Sequence, residues 1–249
     1  MIDTSTKTYR RAPITESVIE LRMNSRVDQA EQEKVVQRLK KHYPHIQKGK
    51  EVKVRLDPLP TGGYITVSDK PQGFRLTSID QTDVVLLSPS GILRARLAPY
   101  LGWKVVSSEA LKVWKVWKRI IKNCSVARIG VRYINRIDIP CNGREKIRIE
   151  DYLTFYPQAP EIGTSPMHGY LIQITLPTHN PLWTASITSK NSPSPLIEHM
   201  SFLLDIEVFR TEEIPIKDDD LWLVINEARD IKNTIFQRCI TPECEKLFE

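Results

Sequence analysis

Two stretches of this chain alternate apolar and polar side chains so regularly that each predicts a β-strand with one buried and one open face. In residues 10–24 one face is apolar and consists of Ile19, Leu21 and Met23. The other face carries Val18 and three charged side chains, namely Glu16, Glu20 and Arg22. Because successive side chains of a strand point to opposite faces, this pattern is typical of an antiparallel sheet that is covered on one side only.

Residues 126–140 have the same two-faced pattern. One face carries Ile129, Val131, Tyr133, Asn135 and Ile137. The other carries Ile134 and Asp138 together with the arginine row, which is Arg128, Arg132 and Arg136. If the two strands are neighbours, the carboxylates of the first lie beside the arginine row of the second. Opposite charges across strands stabilise a sheet by roughly 0.2–1 kcal/mol per pair. The row is therefore either a set of structural ties or a recognition surface, since guanidinium groups bind carboxylates and phosphates bidentately.

Each two-faced strand opens a similar series of elements. After the first, residues 28–44 predict a helix with Asp28 as its N-cap and Glu31 completing a capping box. Four or five short alternating segments and a long helix over 102–123 follow. The second strand is followed by a short helix over 149–157, three strands, and a closing helix over 218–238.

The repeated order predicts an α+β fold built from two tandem strand-helix-antiparallel meander-helix units. The first unit spans residues 1–123 and the second spans 124–249. Each sheet is expected to be curved, with the long helices on one face, because one side of each strand is apolar and the other is polar.

Charge is distributed unevenly along the chain. Residues 1–150 contain 29 Lys and Arg and 15 Asp and Glu, a net charge of +14, whereas residues 151–249 contain 7 and 15, a net charge of −8. This asymmetry is consistent with a nucleic-acid surface on the first half, with attraction between the halves or to another copy of the chain, or with chance. Four basic residues of the long helix are candidates for phosphate contacts: Lys112, Lys115, Arg119 and Lys122. A solvated helix face is the favoured interpretation of these residues, and Trp114 and Trp117, on the apolar stripe, are expected in the core.

Composition limits the cellular setting. Hydrophobic residues make up 41% of the 249 residues and charged residues 27%, as in ordinary globular proteins. No apolar run approaches the roughly 18–20 residues that a membrane span needs, and the start has no signal-peptide pattern. The four cysteines, Cys124, Cys141, Cys239 and Cys244, are too scattered for a disulfide framework. We therefore expect a cytoplasmic protein with reduced thiols and no membrane association.

Most catalytic machinery is missing from the sequence. It has no Walker loop, no dinucleotide fingerprint and no nucleophile elbow. Glu16 and Glu20 stand four residues apart on a strand, about 13 Å at Cα, too far for a simple acid–base pair. Asp218, Asp219 and Asp220 suit the start of a helix better than a metal site. We expect no cofactor and no catalysis, although carboxylates from distant strands could converge in an unrecognised nuclease.

Two smaller groups also suggest metal ligands but lack the partners that a site needs. Cys239 and Cys244 have no second pair to complete a zinc site, so we expect both to pack, with Pro242 starting a new helix. His42 and His45 have no third ligand nearby and are expected at the surface.

Three motifs together resemble a known family. They are APITESVIELRM, RIGVRYINRIDIP and INEARDIKNTIFQRCITPECEKLFE, and the resemblance covers nearly the whole chain. The chain is similar to a sporadically distributed group of prokaryotic proteins of this length with no assigned activity. The group usually carries a His in its final helix, where this chain has Ala228 and Arg229. The element order resembles tandem TATA-binding-protein-like or helix-grip units, and the patchy distribution implies a role in bacterial antiviral defence.

The sequence thus predicts a non-catalytic recognition or assembly protein that binds a protein or a small ligand on an open sheet face. The predicted binding residues are Glu16, Glu20, Arg22, Arg128, Arg132 and Arg136. The carboxylates among them would repel phosphate groups, which favours a protein or small ligand over nucleic acid. Nucleic-acid binding by the basic half is the alternative function.

Overall fold

The computed structural model describes residues 7, 9–54, 65–122, 125–141, 147–158, 160 and 169–249, with 50–54 and 65–72 as backbone only. The α+β fold class is confirmed, because these residues form a nine-stranded antiparallel open sheet and four α-helices. Cys124 and the boundary predicted at 123/124 lie outside the described residues. No helix in the described part of the chain is long and apolar enough to cross a membrane.

The elements follow the predicted order. The first half contains β1 (Ile14–Met23), α1 (Gln29–Leu39), β2 (His45–Val54), β3 (Ile65–Thr77), β4 (Asp83–Ser88), β5 (Gly91–Leu97) and α2 (Trp103–Ile120). The second half contains β6 (Val126–Pro140), a 3₁₀ turn (Ile149–Asp151), β7 (Leu171–Pro177), β8 (Thr184–Ser192), β9 (His199–Arg210), α3 (Asp218–Cys239), α4 (Pro242–Glu245) and a second 3₁₀ turn (Lys246–Phe248).

The chain divides into two compact units. The larger unit contains the residues up to Ile19, Leu97–Tyr100 and the chain from Arg128 onward, and its strand order is β1-β6-β9-β8-β7. The smaller unit contains Glu20–Arg96 and Leu101–Ala127, with the strand order β2-β3-β4-β5-β1. Strand β1 occurs in both orders because its residues are shared between the units. The predicted repeats at 1–123 and 124–249 describe a different division, which stays a prediction.

In the larger unit one sheet face is apolar and buried. Alternate residues of β6, from Ile129 to Ile139, are buried, and those from Val131 to Ile137 lie opposite equally buried residues of β9. Helix α3 packs on this face, where Lys232 lies over the ring of Tyr133. Strands β1 and β6 are neighbours as predicted, since Arg136 N donates to Pro13 O over 2.8 Å.

In the smaller unit α1 and α2 pack against each other, and α1 also contacts β3. Trp114 and Trp117 are buried, which confirms that they belong to the core. The predicted N-cap is confirmed as well, because the Asp28 side chain accepts a hydrogen bond from Glu31 N over 2.7 Å. Gly91, where β5 begins, has φ +151° and allows no side chain, since a Cβ would lie 2.2 Å from Leu21 O.

The same unit buries a charge cluster that the sequence reasoning did not identify. Arg94 on β5 donates from Nη2 to Asp83 Oδ1 on β4, and Arg96 donates from Nη1 to Asp83 Oδ2 over 2.7 Å. The side chains of Arg94 and Arg96 are only 2% and 8% exposed. One carboxylate therefore holds two buried guanidinium groups.

Two predicted elements differ in detail. Within residues 149–157 only Ile149–Asp151 form a helical turn, which is 3₁₀, because the chain then pairs with the segment that follows α3. Thr154 N donates to Cys239 O and Thr241 N donates to Tyr152 O, each over 3.0 Å, so these backbone groups are not available to a helix. The meander has four strands, the lower of the two predicted numbers, since two predicted segments merge into β3 through Pro71, where the pairing with β2 shifts register.

Candidate functional site

The open face of the larger unit carries rows of polar side chains on adjacent strands. The pairing of β6 with β9, and of β9 with β8, places these rows on the side opposite α3. We call this surface the polar sheet face. It consists of Arg128, Arg132, Arg136 and Asp138 on β6, Asp205 and Glu207 on β9, and Ser186, Thr188 and Lys190 on β8. The predicted alternation of β6 thus places the arginine row on the open face.

Arg132 is at the centre of this face and forms its best-aligned ion pair. Its Nε donates to Asp205 Oδ1 over 2.8 Å and its Nη2 donates to Asp205 Oδ2 over 2.5 Å, so the pair is bidentate. Hydrogen bonding to Asp205 is the main cause that raises the pKa of Arg132, and the nearby charge of Glu16 adds to it. The Arg132 side chain is still 46% exposed, against 20% for Asp205. The guanidinium is held in place while much of it faces water.

Arg128 forms the second pair, which depends on a glycine. Its Nη2 donates to Glu207 Oε1 over 2.6 Å, and its guanidinium carbon lies 4.3 Å from the centre of the Phe209 ring. A Cβ on Gly130 would lie 2.8 Å from Arg128 Nη1 and 3.0 Å from Glu207 Oε1. Sequence reasoning missed Gly130, although an isolated glycine inside a strand is a known signal of close approach by another group.

Arg136 forms the third pair, and it uses a residue of its own strand. Its Nε lies 3.1 Å from both carboxylate oxygens of Asp138, which also accepts a hydrogen bond from Ser201 Oγ. Arg136 and Asp138 line a shallow pocket of about 260 Å³ together with Arg11, Pro13 and other residues of the larger unit. The three arginines therefore all have carboxylate partners, none of which is the β1 carboxylate that the sequence predicted beside them.

The remaining predicted binding residues divide between the two units. Glu16 belongs to the larger unit, is half-buried and lies close enough to act on Arg132. Glu20 and Arg22 belong to the smaller unit, where Arg22 Nε donates to Glu20 Oε1 over 3.0 Å. The structure thus brings Glu16 together with the arginine row of the larger unit.

The alternative nucleic-acid residues lie on the exposed side of α2 and at its end. Lys112, Lys115, Arg119 and Lys122 are all exposed. Lys112 Nζ donates to Glu109 Oε1 over 2.7 Å, one helical turn away. This arrangement is typical of a solvated helix face.

The candidate metal ligands are accounted for by packing and helix ends. Asp218, Asp219 and Asp220 occupy the first turn of α3, where they complement the helix dipole, although none of them is the N-cap. Cys239 and Cys244 are buried, and burial raises their pKa values to about 11 and about 12, respectively. Among the described residues no group of three His, Cys, Asp or Glu side chains could hold a metal ion.

The other expectations for these side chains also agree with the structure. Pro242 begins α4 as predicted, and the structure shows Thr241 as its N-cap. His42 and His45 are exposed.

One buried titratable residue of the larger unit was not identified from the sequence. Lys232 on α3 is 3% exposed, and its Nζ lies 3.6 Å from the centre of the Tyr133 ring. Burial lowers the pKa of Lys232 well below its usual range, with the charge of Arg229 acting in the same direction. The aromatic ring favours the charged amine, but desolvation is the larger effect at a fully enclosed site. The only sequence signal of this burial is the position of Lys232 within the apolar stripe of α3.

Neither the comparison with models of known protein families nor the comparison with curated protein sequences finds a match to this chain.

Proposed function

We propose that this chain is a non-catalytic recognition protein that binds a protein partner through the polar sheet face. The observation that supports this proposal is the state of Arg132, which is fixed by a bidentate carboxylate and yet is 46% exposed. A side chain ordered before binding loses little conformational entropy when a partner arrives. The exposed part of the guanidinium can then donate further hydrogen bonds to a partner.

The charges of the face favour a protein over a polyanion. Arg128, Arg132 and Arg136 each have a carboxylate partner within 3.1 Å. Phosphate groups would have to approach Asp138, Asp205 and Glu207 as well, and like charges placed side by side are unfavourable. A protein surface with charges of both signs can complement such a pattern without breaking the existing pairs.

The test exchanges the two members of one pair. In the double variant Arg132→Asp/Asp205→Arg the ion pair can still form, so the sheet should remain folded, but the charge pattern that a partner meets is reversed. We expect this variant to lose capture of the partner from a lysate of the host, while its thermal melt stays within a few degrees of that of the unaltered chain. The matched control is Arg148→Glu/Glu150→Arg, which exchanges an exposed pair outside the sheet.

The same experiment addresses the nucleic-acid alternative. Capture of a protein should survive nuclease treatment and change little between about 50 and 200 mM salt, whereas phosphate binding would weaken steeply over that range. Capture that disappears with nuclease, and that depends on Lys115 and Arg119 rather than on Arg132, would contradict the proposal. Unchanged capture by the exchanged variant would show that the arginines only tie the sheet together.

The proposal also covers the internal repeat, the cellular location and the biological role of the protein. We infer that the two halves are tandem repeats, because β1, α1, a meander and α2 are matched by β6, a 3₁₀ turn, a meander and α3. A cytoplasmic location is supported by the free thiols of Cys141, Cys239 and Cys244, which a reducing compartment permits. The role in bacterial defence rests on the resemblance of the three sequence motifs.

A further inference from the structure

Helix α3 and the β7–β8 hairpin enclose an apolar groove of about 490 Å³, separate from the polar sheet face. Its volume lies within the range of roughly 300–1,000 Å³ that is typical of small-molecule sites. Apolar side chains from both elements line it, namely Leu176, Ala185, Ile187, Ile231 and Ile235. The groove is on the face of the sheet that carries α3, whereas the arginine row is on the other face.

Strand β7 exposes apolar side chains on this otherwise covered face. Leu176 lies opposite Ala185, and Ile174 lies opposite Ile187, so all four point to the same side of the sheet. Ala185 and Ile187 are buried, whereas Leu176 is 39% and Ile174 is 41% exposed. Apolar side chains that remain exposed beside a groove are typical of ligand-binding sites.

The rim of the groove holds a carboxylate that already has a hydrogen-bond donor. Asn180, in the β7–β8 loop, is fixed because its Oδ1 accepts from Leu182 N over 3.2 Å. Its Nδ2 donates to Glu227 Oε1 on α3 over 2.8 Å. Glu227 is therefore partly satisfied by the protein itself.

The rim also holds a cation, Arg238, that has no carboxylate partner among the described residues. Arg238 Nη1 lies 3.4 Å from His179 Nε2, at the long end of the hydrogen-bond range. In the described part of the chain no carboxylate lies within 4.0 Å of the Arg238 guanidinium. A guanidinium has five N–H donors arranged in a planar fork that matches a carboxylate. The rim is thus better prepared for an anionic group than for a cationic one.

We propose that this groove binds a small apolar carboxylate, with its hydrocarbon part against Ile231 and Ile235 and its carboxylate on Arg238. The apolar floor provides affinity that depends on chain length, and the guanidinium selects the charged head group. The site is independent of the polar sheet face, so either proposal can fail without the other.

The test titrates the full chain with straight-chain carboxylates of increasing length and with the matched primary alcohols. Binding is followed by NMR, using the methyl groups of Ile187, Ile231 and Ile235. We expect the Kd to fall by about fourfold for each added methylene until the groove is full. The carboxylate should bind at least about tenfold more tightly than the alcohol of the same length, because a hydrogen bond to a charged group is stronger than one to a neutral group.

Variants separate the head-group contact from the apolar contact. Arg238→Gln should remove the preference for the carboxylate while it leaves alcohol binding nearly unchanged. Lys217→Gln is the charge-matched control, because Lys217 is exposed at the start of α3 and is not among the groove's lining residues. Thr234→Leu should weaken both ligands by filling the groove, and a thermal melt checks that it folds.

Three results with the unaltered chain would overturn the inference. They are the absence of binding along the whole series, equal affinity of carboxylate and alcohol for the unaltered chain, and methyl shifts that lie outside the groove. A preference for the carboxylate that survives in Arg238→Gln would also contradict it.

Discussion

Two groups of Asp–Arg ion pairs in this protein differ in burial: one is enclosed and the other faces water. In the smaller unit Asp83 binds Arg94 and Arg96, whose side chains are almost completely buried. In the larger unit Asp205 binds Arg132, which is nearly half exposed. Removing water from a charge costs several kcal/mol, so a buried pair must stay complete, whereas an exposed pair contributes little to stability. The difference separates charges that hold the fold together from charges that are available to a partner.

The largest effect is expected from Asp83→Ala. It leaves two buried guanidinium groups without their carboxylate, and we expect it to lower the free energy of unfolding by about 3–5 kcal/mol. Chemical denaturation measures this loss. The double variant Asp83→Leu/Arg94→Leu, which removes charge of both signs, should recover part of it. A loss below about 1 kcal/mol would mean that burial does not distinguish the two clusters.

Lys232→Met should have a smaller effect of the opposite sign. The pKa of Lys232 is lowered in the folded chain, so below the ordinary pKa of a lysine the unfolded chain binds more protons, and stability falls as the pH decreases from about 10 towards the lowered value. Methionine has no charge to desolvate, and we expect it to stabilise the protein at neutral pH by about 1–3 kcal/mol.

Measurement across pH sharpens this test. Thermal melts of the unaltered chain and of Lys232→Met between pH 6 and pH 10 should converge as the pH rises. Parallel curves over that range would show that Lys232 keeps its usual protonation in the fold. Lys190→Met is the matched control, since Lys190 is exposed on β8.

The smallest effect is expected from Arg132→Ala. An exposed ion pair contributes about 0.2–1 kcal/mol, so the midpoint of denaturation should hardly change. A loss comparable to that of Asp83→Ala would abolish the contrast between the clusters and weaken the case for a recognition face. Asp205→Ala, the removal of the other member, should give a similarly small change.

The periodic part of the fold could be predicted from the sequence, because the relevant interactions are local. The alternation in β6 placed the arginine row on the open face, and the stripe with Trp114 and Trp117 placed α2 against the core. The prediction of a short helix at 149–157 was wrong, since backbone groups of this segment bind the end of α3 and the residues after it, about 90 residues later. No local pattern reveals a pairing of that kind.

The partners within the candidate site could not be predicted for the same reason. Asp205 and Glu207 reach the arginine row through the register of β6 and β9, strands separated in sequence by β7, β8 and their loops. Burial of Arg94 and Lys232 depends likewise on packing between distant segments. From the sequence alone, a charged side chain in a strand or helix is predicted to be exposed. The burial of such a cation is therefore visible only in the folded chain.

The two buried thiols near the C-terminus have a consequence for following the protein in solution. Burial raises the pKa of Cys239 to about 11 and that of Cys244 to about 12, so both thiols are almost entirely protonated and unreactive at pH 7. Alkylating reagents will therefore scarcely modify either residue while the end of α3 and α4 remain packed. The rate at which these cysteines are labelled would therefore measure how often this part of the chain unfolds locally.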